Sequence, residues 1–466
     1  MQVSHTTRAV SASFDDSNLV SSAGLVSVMK LAEKAGLRRL ADKWLSVPTD
    51  KGANAGLKIA SLVAGMVAGA DAIDDMAVLR HGGMRKLFAH LYAQSTLGSF
   101  LRAFTFGHVR QLDAIASRFL ISLAALCPLI IPEPDGDYVF LDVDDTIIEV
   151  HGHQKQGASF GYSGVRGLNA ILATLKTVTG APIILAQRLR RGACSSPHGA
   201  TRLIRDALAA IRRLPGMSAA RILFRADSAF YTFAAIHAAL AAGADISVTA
   251  RLDSAVRKSI ATIPAAAWTP IKYTHAIYDE DTRTWISDAE VAEIAYTAFT
   301  SRKKSDHIVG RLIVRRIPEL NKNKLAGQAT LFDLHRFHAF FTTSTLDLVP
   351  ADKTHRAHAA IELVNADLKS SALAHMPSGV FAANAAWLVL AVIAFNLTRA
   401  AATLADTGLT RATTATIRRK LINIPARIAS SARRITLHLP ENWPWETGWT
   451  HLFDHAFTPP RPIATT

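Results

Sequence analysis

The sequence contains only two cysteines, Cys127 and Cys194, among its 466 residues. Two thiols exclude both a disulfide framework and a zinc site built from several cysteines, so we expect a reducing compartment, the cytoplasm. The amino terminus also lacks the basic flank and apolar core of a secretory signal. The most apolar stretch, residues 385–395, is shorter than the roughly 20 residues that a membrane-spanning helix needs. We therefore predict a buried core helix there and no membrane association.

The chain has few charged residues, and acidic residues are fewer than basic ones. Charged residues make up 19% of the chain against 49% hydrophobic residues, which excludes a long disordered chain. The length predicts two or three domains. The 52 lysines and arginines outnumber the 37 aspartates and glutamates and give a net charge of +15. Such a balance favours a polyanionic partner, nucleic acid first, although a generally basic surface would produce the same count.

The amino-terminal part of the chain has the pattern of a helical region. Apolar residues such as Leu25, Val28 and Leu31 recur near the 3.6-residue period. A cluster of turn-forming residues at 132–136 ends this pattern. We predict a helical, DNA-binding domain over residues 1–136.

After the turn cluster, strands and helices follow one another, which is typical of a mixed α/β sheet. We divide this part into residues 137–251, the first part of the α/β domain; 252–336, a mainly β insertion; and 337–402, where the domain resumes. The last part includes predicted helices over His355–Lys369 and Phe381–Arg399. Residues 403–466 form a basic carboxyl-terminal region, with seven lysines and arginines against one aspartate between positions 403 and 440.

Carboxylates stand at positions where they could act together. Asp142 and Asp144 are two residues apart in a predicted strand, so both side chains point to one face. Asp227 ends a second apolar strand, at the edge where open α/β sheets bind ligands. Capping of the following helix is the alternative role for a single aspartate of this kind. Glu362 lies on the predicted helix 355–369, and there the alternative role is a charge pair with a neighbour.

That helix has one polar face. At 100° per residue, His355, His358, Glu362 and Lys369 fall within about 60° of one another. Acids from two strand ends and a helix suit Mg²⁺, which prefers carboxylate oxygens and keeps several waters. Two such ions could activate a nucleophile and stabilise the leaving oxygen at a phosphodiester. This chemistry agrees with a basic, nucleic-acid-binding protein.

Five segments in this order make the chain resemble the bacterial insertion-sequence transposases with an RNase H-like DDE domain. The resemblance covers about residues 137–400 and rests on LDVDDT, HGHQKQG, FGYSGVRGLNA, LFRADSAFY and HRAHAAIELVNADLK. It implies an α/β fold, an RNase H-like mixed sheet flanked by helices and carrying a β insertion. It also implies a site with two Mg²⁺ ions, for which we expect Mn²⁺ to substitute, that cuts and joins DNA.

The resemblance assigns roles residue by residue. The first metal-binding acid of the family matches Asp144, two residues before a threonine, with Asp142 as a further metal candidate on the same face. The second matches Asp227 and the third Glu362. Lys369, seven residues after Glu362, matches the lysine of the family's Tyr, Arg, Glu, Lys helix signature and is assigned to DNA. His355 and His358 stand where that signature has tyrosine and arginine, and Arg356 is a candidate substitute, so these three are assigned to DNA as well.

We therefore expect a DNA transposase and endonuclease that binds the terminal inverted repeats of its own insertion sequence and joins them to target DNA. Synapsis of two ends implies a homodimer, and the DNA partner implies the cytoplasm, at the nucleoid. Two alternatives stay open. One is a phosphatase similar to the haloacid dehalogenases, with Asp142 as nucleophile and Asp144 as general acid. The other is a DNA-binding protein derived from a transposase with an inactive site.

Overall fold

The computed structural model describes residues 4, 9–48, 50–130, 137–161, 163–279, 284–318 and 335–458. The turn cluster predicted at 132–136 and the stretch 319–334 of the predicted insertion lie outside these residues.

The amino-terminal region is helical, as the sequence pattern predicts. A short strand, β1 (Leu19–Val20), precedes helices α1 (Leu25–Lys34), α2 (Leu37–Trp44), α3 (Ala55–Ala68), α4 (Met84–Leu87), α5 (Gln94–Arg102) and α6 (Phe106–Leu126). Helix α1 buries Leu25, Val28 and Leu31, the residues that set its period. The buried apolar side chains of these helices are continuous with those of the sheet that follows, so the two regions share one hydrophobic core.

The centre of the molecule is a mixed β-sheet. Its first strands are β2 (Tyr138–Glu149), β3 (Ser159–Phe160), β4 (Arg166–Lys176), β5 (Ile183–Arg191), β6 (Arg221–Ala226) and β7 (Asp245–Ala250). Strands β5, β4 and β2 are antiparallel neighbours, whereas β2, β6 and β7 are parallel. Helices α7 (Ala200–Arg213) and α8 (Phe233–Ala241) make the connections that parallel pairing requires. The mixed sheet flanked by helices is therefore confirmed, and it has the arrangement of an RNase H-like fold.

The part predicted as an insertion extends this same sheet. After α9 (Ser254–Ala261) come β8 (Thr269–Asp279), β9 (Thr284–Ala298), β10 (Ile308–Pro318) and β11 (His335–Thr342). Strand β11 pairs antiparallel with β7, and β10, β9 and β8 follow in order. The insertion is mainly β, and its strands continue the central sheet instead of forming a separate layer.

The helix predicted over 355–369 is interrupted, and the prediction of one continuous helix is wrong. Helix α10 (Leu348–Arg356) ends in a 3₁₀ turn at Ala357–Ala359, after which α11 (Ala360–Lys369) begins. The 3₁₀ turn, which has about three residues per turn instead of 3.6, separates two helices in different surroundings: His355 is buried on α10, whereas Glu362 and Lys369 are exposed on α11. His355 therefore belongs to a different helix from Glu362 and Lys369.

The apolar stretch 385–395 lies inside helix α12 (Phe381–Leu404), which is longer than the stretch itself. The helix is long and apolar enough to cross a membrane, but 89% of its most apolar 18-residue window is buried within the protein. It contacts α3, α6 and β5. The prediction of a buried core helix is confirmed.

The basic carboxyl-terminal region is folded against the amino-terminal helices up to residue 458. It contains α13 (Thr414–Ile417), β12 (Ala426–Ser431), β13 (Arg434–His438) and α14 (Glu446–Phe457). Strand β12 lies between β1 and β13 in a second, three-stranded sheet, and α14 packs on α1. The amino-terminal and carboxyl-terminal regions thus contact each other within the described residues.

Candidate active site

The pairing of β2 with β6 places two of the predicted acids side by side. These strands are parallel, with Val143 opposite Ala226. The residues that follow this pair are Asp144 and Asp227, and the charge of Asp227 raises the pKa of Asp144. Asp227 directly follows β6, and the Ala229 N–H donates to its Oδ1 at 3.0 Å. Asp227 therefore caps the turn that follows it, which is the alternative role that the sequence suggested. Its carboxylate is also exposed to solvent.

Helix α11 brings the third acid to the same edge. The helix packs on β2, and the side-chain amide of Asn365 donates to Asp144 Oδ2 at 3.0 Å. Glu362 lies one turn before Asn365 and is exposed. The charges of Asp227 and Glu362 both raise the pKa of Asp144, so these two acids, from a strand end and a helix, lie in the neighbourhood of its carboxylate.

The electrostatics of this edge disfavour negative charge in the absence of a cation. Burial raises the pKa of Asp144 to about 7, and the charges of Asp145, Asp227 and Glu362 add to the effect. The pKa of Asp227 is also raised. The main cause is partial burial, because the surrounding protein removes part of the water that would stabilise the charged carboxylate. Carboxylates that repel one another in this way gain stability when a cation lies between them.

The donor atoms fit a hard divalent cation. They are carboxylate oxygens, joined by the side-chain Oδ1 of Asn365, which is buried and has no hydrogen-bond partner within the described part of the chain. In the same residues, no three His, Cys, Asp or Glu side chains are close enough to hold a metal as they stand. The donor types at this edge therefore suit a hard cation, whereas the described side chains do not form a complete metal site.

Comparison with known families identifies the chain. Residues 2–458 match the model of the family described as transposase DDE domain, group 1. The chain belongs to this transposase family. A search of curated proteins finds no significant match. The family is one of metal-dependent enzymes that cut and join DNA, so the resemblance seen in the sequence is confirmed and the phosphatase alternative is wrong.

Asp142 of the transposase is not available to a metal. Its carboxylate is 1% exposed and accepts two hydrogen bonds of 2.7 Å from Arg225, one on each oxygen. The same guanidinium lies over the Phe140 ring and donates to the carbonyl oxygen of Thr354. Predicting Asp142 as a metal ligand, or as a phosphatase nucleophile, is therefore wrong, because a buried arginine occupies both of its oxygens.

His355 is a core residue of the transposase, and its predicted contact with DNA is wrong. Its ring stacks on Phe340 with centroids 4.0 Å apart. Its two nitrogens lie 2.9 Å from Ser247 Oγ and 3.0 Å from Thr249 Oγ1. Burial lowers the pKa of His355 well below its ordinary value. The ring is therefore neutral, and it is buried too deeply to contact a DNA phosphate.

His358 and Arg356 lie nearer the acids, and their contacts with DNA stay predictions. The Nδ1 of His358 is 2.8 Å from the carbonyl oxygen of His355, so this nitrogen donates. A positive charge on His358 would lower the pKa of Asp227, which shows that the two are neighbours. Arg356 forms an ion pair of 2.9 Å with the buried Asp352. Both side chains are thus oriented by the fold.

Lys369 ends α11 and is exposed. It lines a groove of about 440 Å³ together with Thr146, Ile147 and Glu149, which belong to the half of β2 beyond Asp144. A lysine in this place can meet a phosphate that lies along the groove, and this role stays a prediction.

Four residues around the acids were missed in the sequence: Asp145, Arg190, Arg225 and Asn365. Asp145 lies beside Asp144 and pairs at 2.7 Å with Arg190, which in turn donates to Asn169. Arginines inside apolar strands are the signal that could have found Arg190 and Arg225, because a buried guanidinium requires an acidic partner. Asn365 had a signal as well, since it follows Glu362 by three residues on one helix face.

Proposed function

We propose that this transposase binds the terminal inverted repeats of its insertion sequence and catalyses Mg²⁺-dependent strand cleavage and strand transfer, with Asp144, Asp227 and Glu362 as catalytic metal ligands. The observation that supports the proposal is electrostatic: the charges of Asp227 and Glu362 both raise the pKa of Asp144, and Asn365 ties α11 to that carboxylate. Membership of the family supports metal-dependent DNA chemistry in general. The ligand set and the choice of Mg²⁺, with Mn²⁺ as a substitute, are our proposal.

The reaction has two displacements at phosphorus. In the first, a water oxygen forms a bond to phosphorus while the bond to the 3′ oxygen breaks, and that oxygen takes a proton to become a 3′-hydroxyl. In the second, this hydroxyl attacks a phosphate of target DNA and displaces another 3′ oxygen. Asp144, Asp227 and Glu362 would hold the divalent cations, which when bound would supply activation of the nucleophile and stabilisation of the leaving oxygen. Asp144 and Asp227 hold their positions on rigid strands, whereas the exposed Glu362 completes the ligand set from α11.

The basic parts of the molecule are proposed to hold the DNA. Lys369 would meet a phosphate beside the site as a point charge. The amino-terminal helices and the carboxyl-terminal region would bind the element ends, and Arg419, Arg433 and Arg434 are exposed there. Binding through phosphates weakens steeply as salt rises. Pairing of two ends would make a homodimer, acting in the cytoplasm at the nucleoid.

The proposal is tested by cleavage of a labelled element end in the presence of Mg²⁺. We compare the wild type with Asp227→Asn and Glu362→Gln, and use Glu293→Gln as a matched control because Glu293 is an exposed carboxylate on β9, outside the regions proposed to bind DNA. The first two variants should bind the element end and lose cleavage activity by more than about 100-fold. Replacing a residue that only hydrogen-bonds to a metal ligand already lowers activity about 10–100-fold, and these residues are proposed as the ligands themselves. Equal cleavage by all four proteins would contradict the mechanism. Specific binding without cleavage by the wild type would identify the inactive DNA-binding protein instead.

A further inference from the structure

Asn365 joins the helix of the third acid to the strand of the first. It follows Glu362 by one turn of α11 and is 6% exposed. Its Nδ2 donates to Asp144 Oδ2 at 3.0 Å. A carboxylate that binds a cation is ionised and only accepts hydrogen bonds, so with a cation bound the amide nitrogen has to face Asp144 and the amide oxygen has to point away from it.

That oxygen is the unusual feature. Oδ1 of Asn365 is buried and has no hydrogen-bond partner within the residues that the structure describes. Other buried asparagines are satisfied at both ends. Asn396, for example, accepts from the Ile184 N–H at 2.9 Å and donates to the Ile184 carbonyl at 2.8 Å. Native proteins rarely keep a buried oxygen unpaired unless a water, an ion or a functional state supplies its partner.

We propose that Asn365 is a positioning residue of the cation site, which orients Asp144 through its amide nitrogen and accepts a hydrogen bond from a cation-bound water through its unpartnered oxygen. The inference rests on the proposed function, because it requires a cation at the three carboxylates. The inference adds Asn365, an uncharged residue, to the three acids of the proposed site.

The chemistry of an amide suits this position. Three carboxylates already meet here, so a fourth acid would add repulsion, whereas an amide supplies an oxygen without charge. By holding Asp144 Oδ2, Asn365 also leaves the other oxygen of this carboxylate to the cation. A ligand that is already oriented loses less conformational freedom when the metal binds.

The test measures metal binding directly, on the full-length protein freed of metal. Mn²⁺ is added and the free ion is measured by electron paramagnetic resonance, for the wild type, Asn365→Leu and Asn365→Ala. Leucine has the same number of side-chain heavy atoms and the same branching as asparagine, and alanine serves if the leucine variant does not fold. We expect Mn²⁺ to bind about 10–100-fold more weakly to both variants. The Mn²⁺ concentration for half-maximal cleavage should rise equally, while binding of the element end in the presence of a chelator should not change.

Two controls separate this inference from the proposed function. Asn396→Leu removes a buried asparagine outside the site, and it should lower thermal stability without changing the affinity for Mn²⁺. Asp144→Asn should abolish tight Mn²⁺ binding. If Asp144→Asn does so while both Asn365 variants bind Mn²⁺ as the wild type does, the role of Asn365 is overturned and the proposed function stands. If the wild type binds no Mn²⁺, with or without DNA, both are overturned.

Discussion

Arg225 on β6 and Asp142 on β2 form a two-pronged ion pair in which both side chains are 1% exposed. Each lies two residues before an acid of the site, Arg225 before Asp227 and Asp142 before Asp144. The pair therefore links the two strands in the register that aligns these acids. It is a structural contact immediately beneath the site, and it explains why a third aspartate stands so close without binding metal.

Removing Arg225 should destabilise the protein strongly. In Arg225→Met, Asp142 would remain buried without a partner, and we expect the free energy of unfolding to fall by about 3–5 kcal/mol, measured by urea denaturation. The double variant Arg225→Met, Asp142→Leu should recover much of this loss because no buried charge is left. Arg434→Met, at an exposed arginine, is the control. A loss below about 1 kcal/mol in the single variant would show that the pair does not hold the strands.

The stability of the metal-free protein should depend on the ionisation of Asp144. Its pKa is raised to about 7 in the fold, whereas an unfolded aspartate has a pKa near 3.9. The native state therefore binds more protons between these values and loses stability as the pH rises from about 4 through about 7. Asp144→Asn lacks this loss, so its melting temperature relative to wild type should be higher at pH 8 than at pH 5.

The measurement is thermal unfolding with a chelator at both pH values. Adding Mg²⁺ at pH 8 should stabilise the wild type and not Asp144→Asn, since a ligand that binds only the folded state raises its stability. Identical pH dependence of the two proteins would rule out a raised pKa at Asp144.

His355 should matter for folding and not for DNA. His355→Leu leaves the Ser247 and Thr249 hydroxyls without their ring partner, and we expect the free energy of unfolding to fall by about 1–3 kcal/mol. Because the pKa of His355 is lowered in the fold, the wild type should also lose stability as the pH falls below about 6.5, where an unfolded histidine is protonated. This part of the pH dependence should be missing in His355→Leu. Weaker DNA binding by the folded variant would argue for an exposed role.

Lys369 should behave in the opposite way. Lys369→Ala should weaken DNA binding and reduce the slope of log affinity against log salt by about 1, because one phosphate contact is lost. Its free energy of unfolding should stay within about 0.5 kcal/mol of wild type, as is usual for an exposed side chain. Lys258→Ala, at an exposed lysine on α9, is the matched control. The same salt slope in all three proteins would remove Lys369 from the DNA contact.

Local patterns predicted much of the fold because they follow from backbone geometry. The two-residue alternation of a strand places Asp142 and Asp144 on one face, and the contacts of both agree with this. Asp142 pairs with Arg225, which also bonds to α10, and Asp144 accepts a hydrogen bond from Asn365 of α11. The apolar content of α12 predicts its burial. The break at Ala357–Ala359 could not be predicted in this way, because alanine favours a continuous helix and only packing of His355 against Phe340 opposes it.

Residue types and short spacings along the chain were enough to predict the order of strands and helices, the strand end that carries Asp227 and the family to which the chain belongs. Which acids are available to a cation depends instead on contacts between distant parts of the chain. Asp142 and Asp144 look equivalent along the chain, but the register of β6 brings an arginine to one and the packing of α11 brings an amide to the other. Contacts between residues far apart in the chain depend on how the strands and helices pack, and this is not encoded in any single segment.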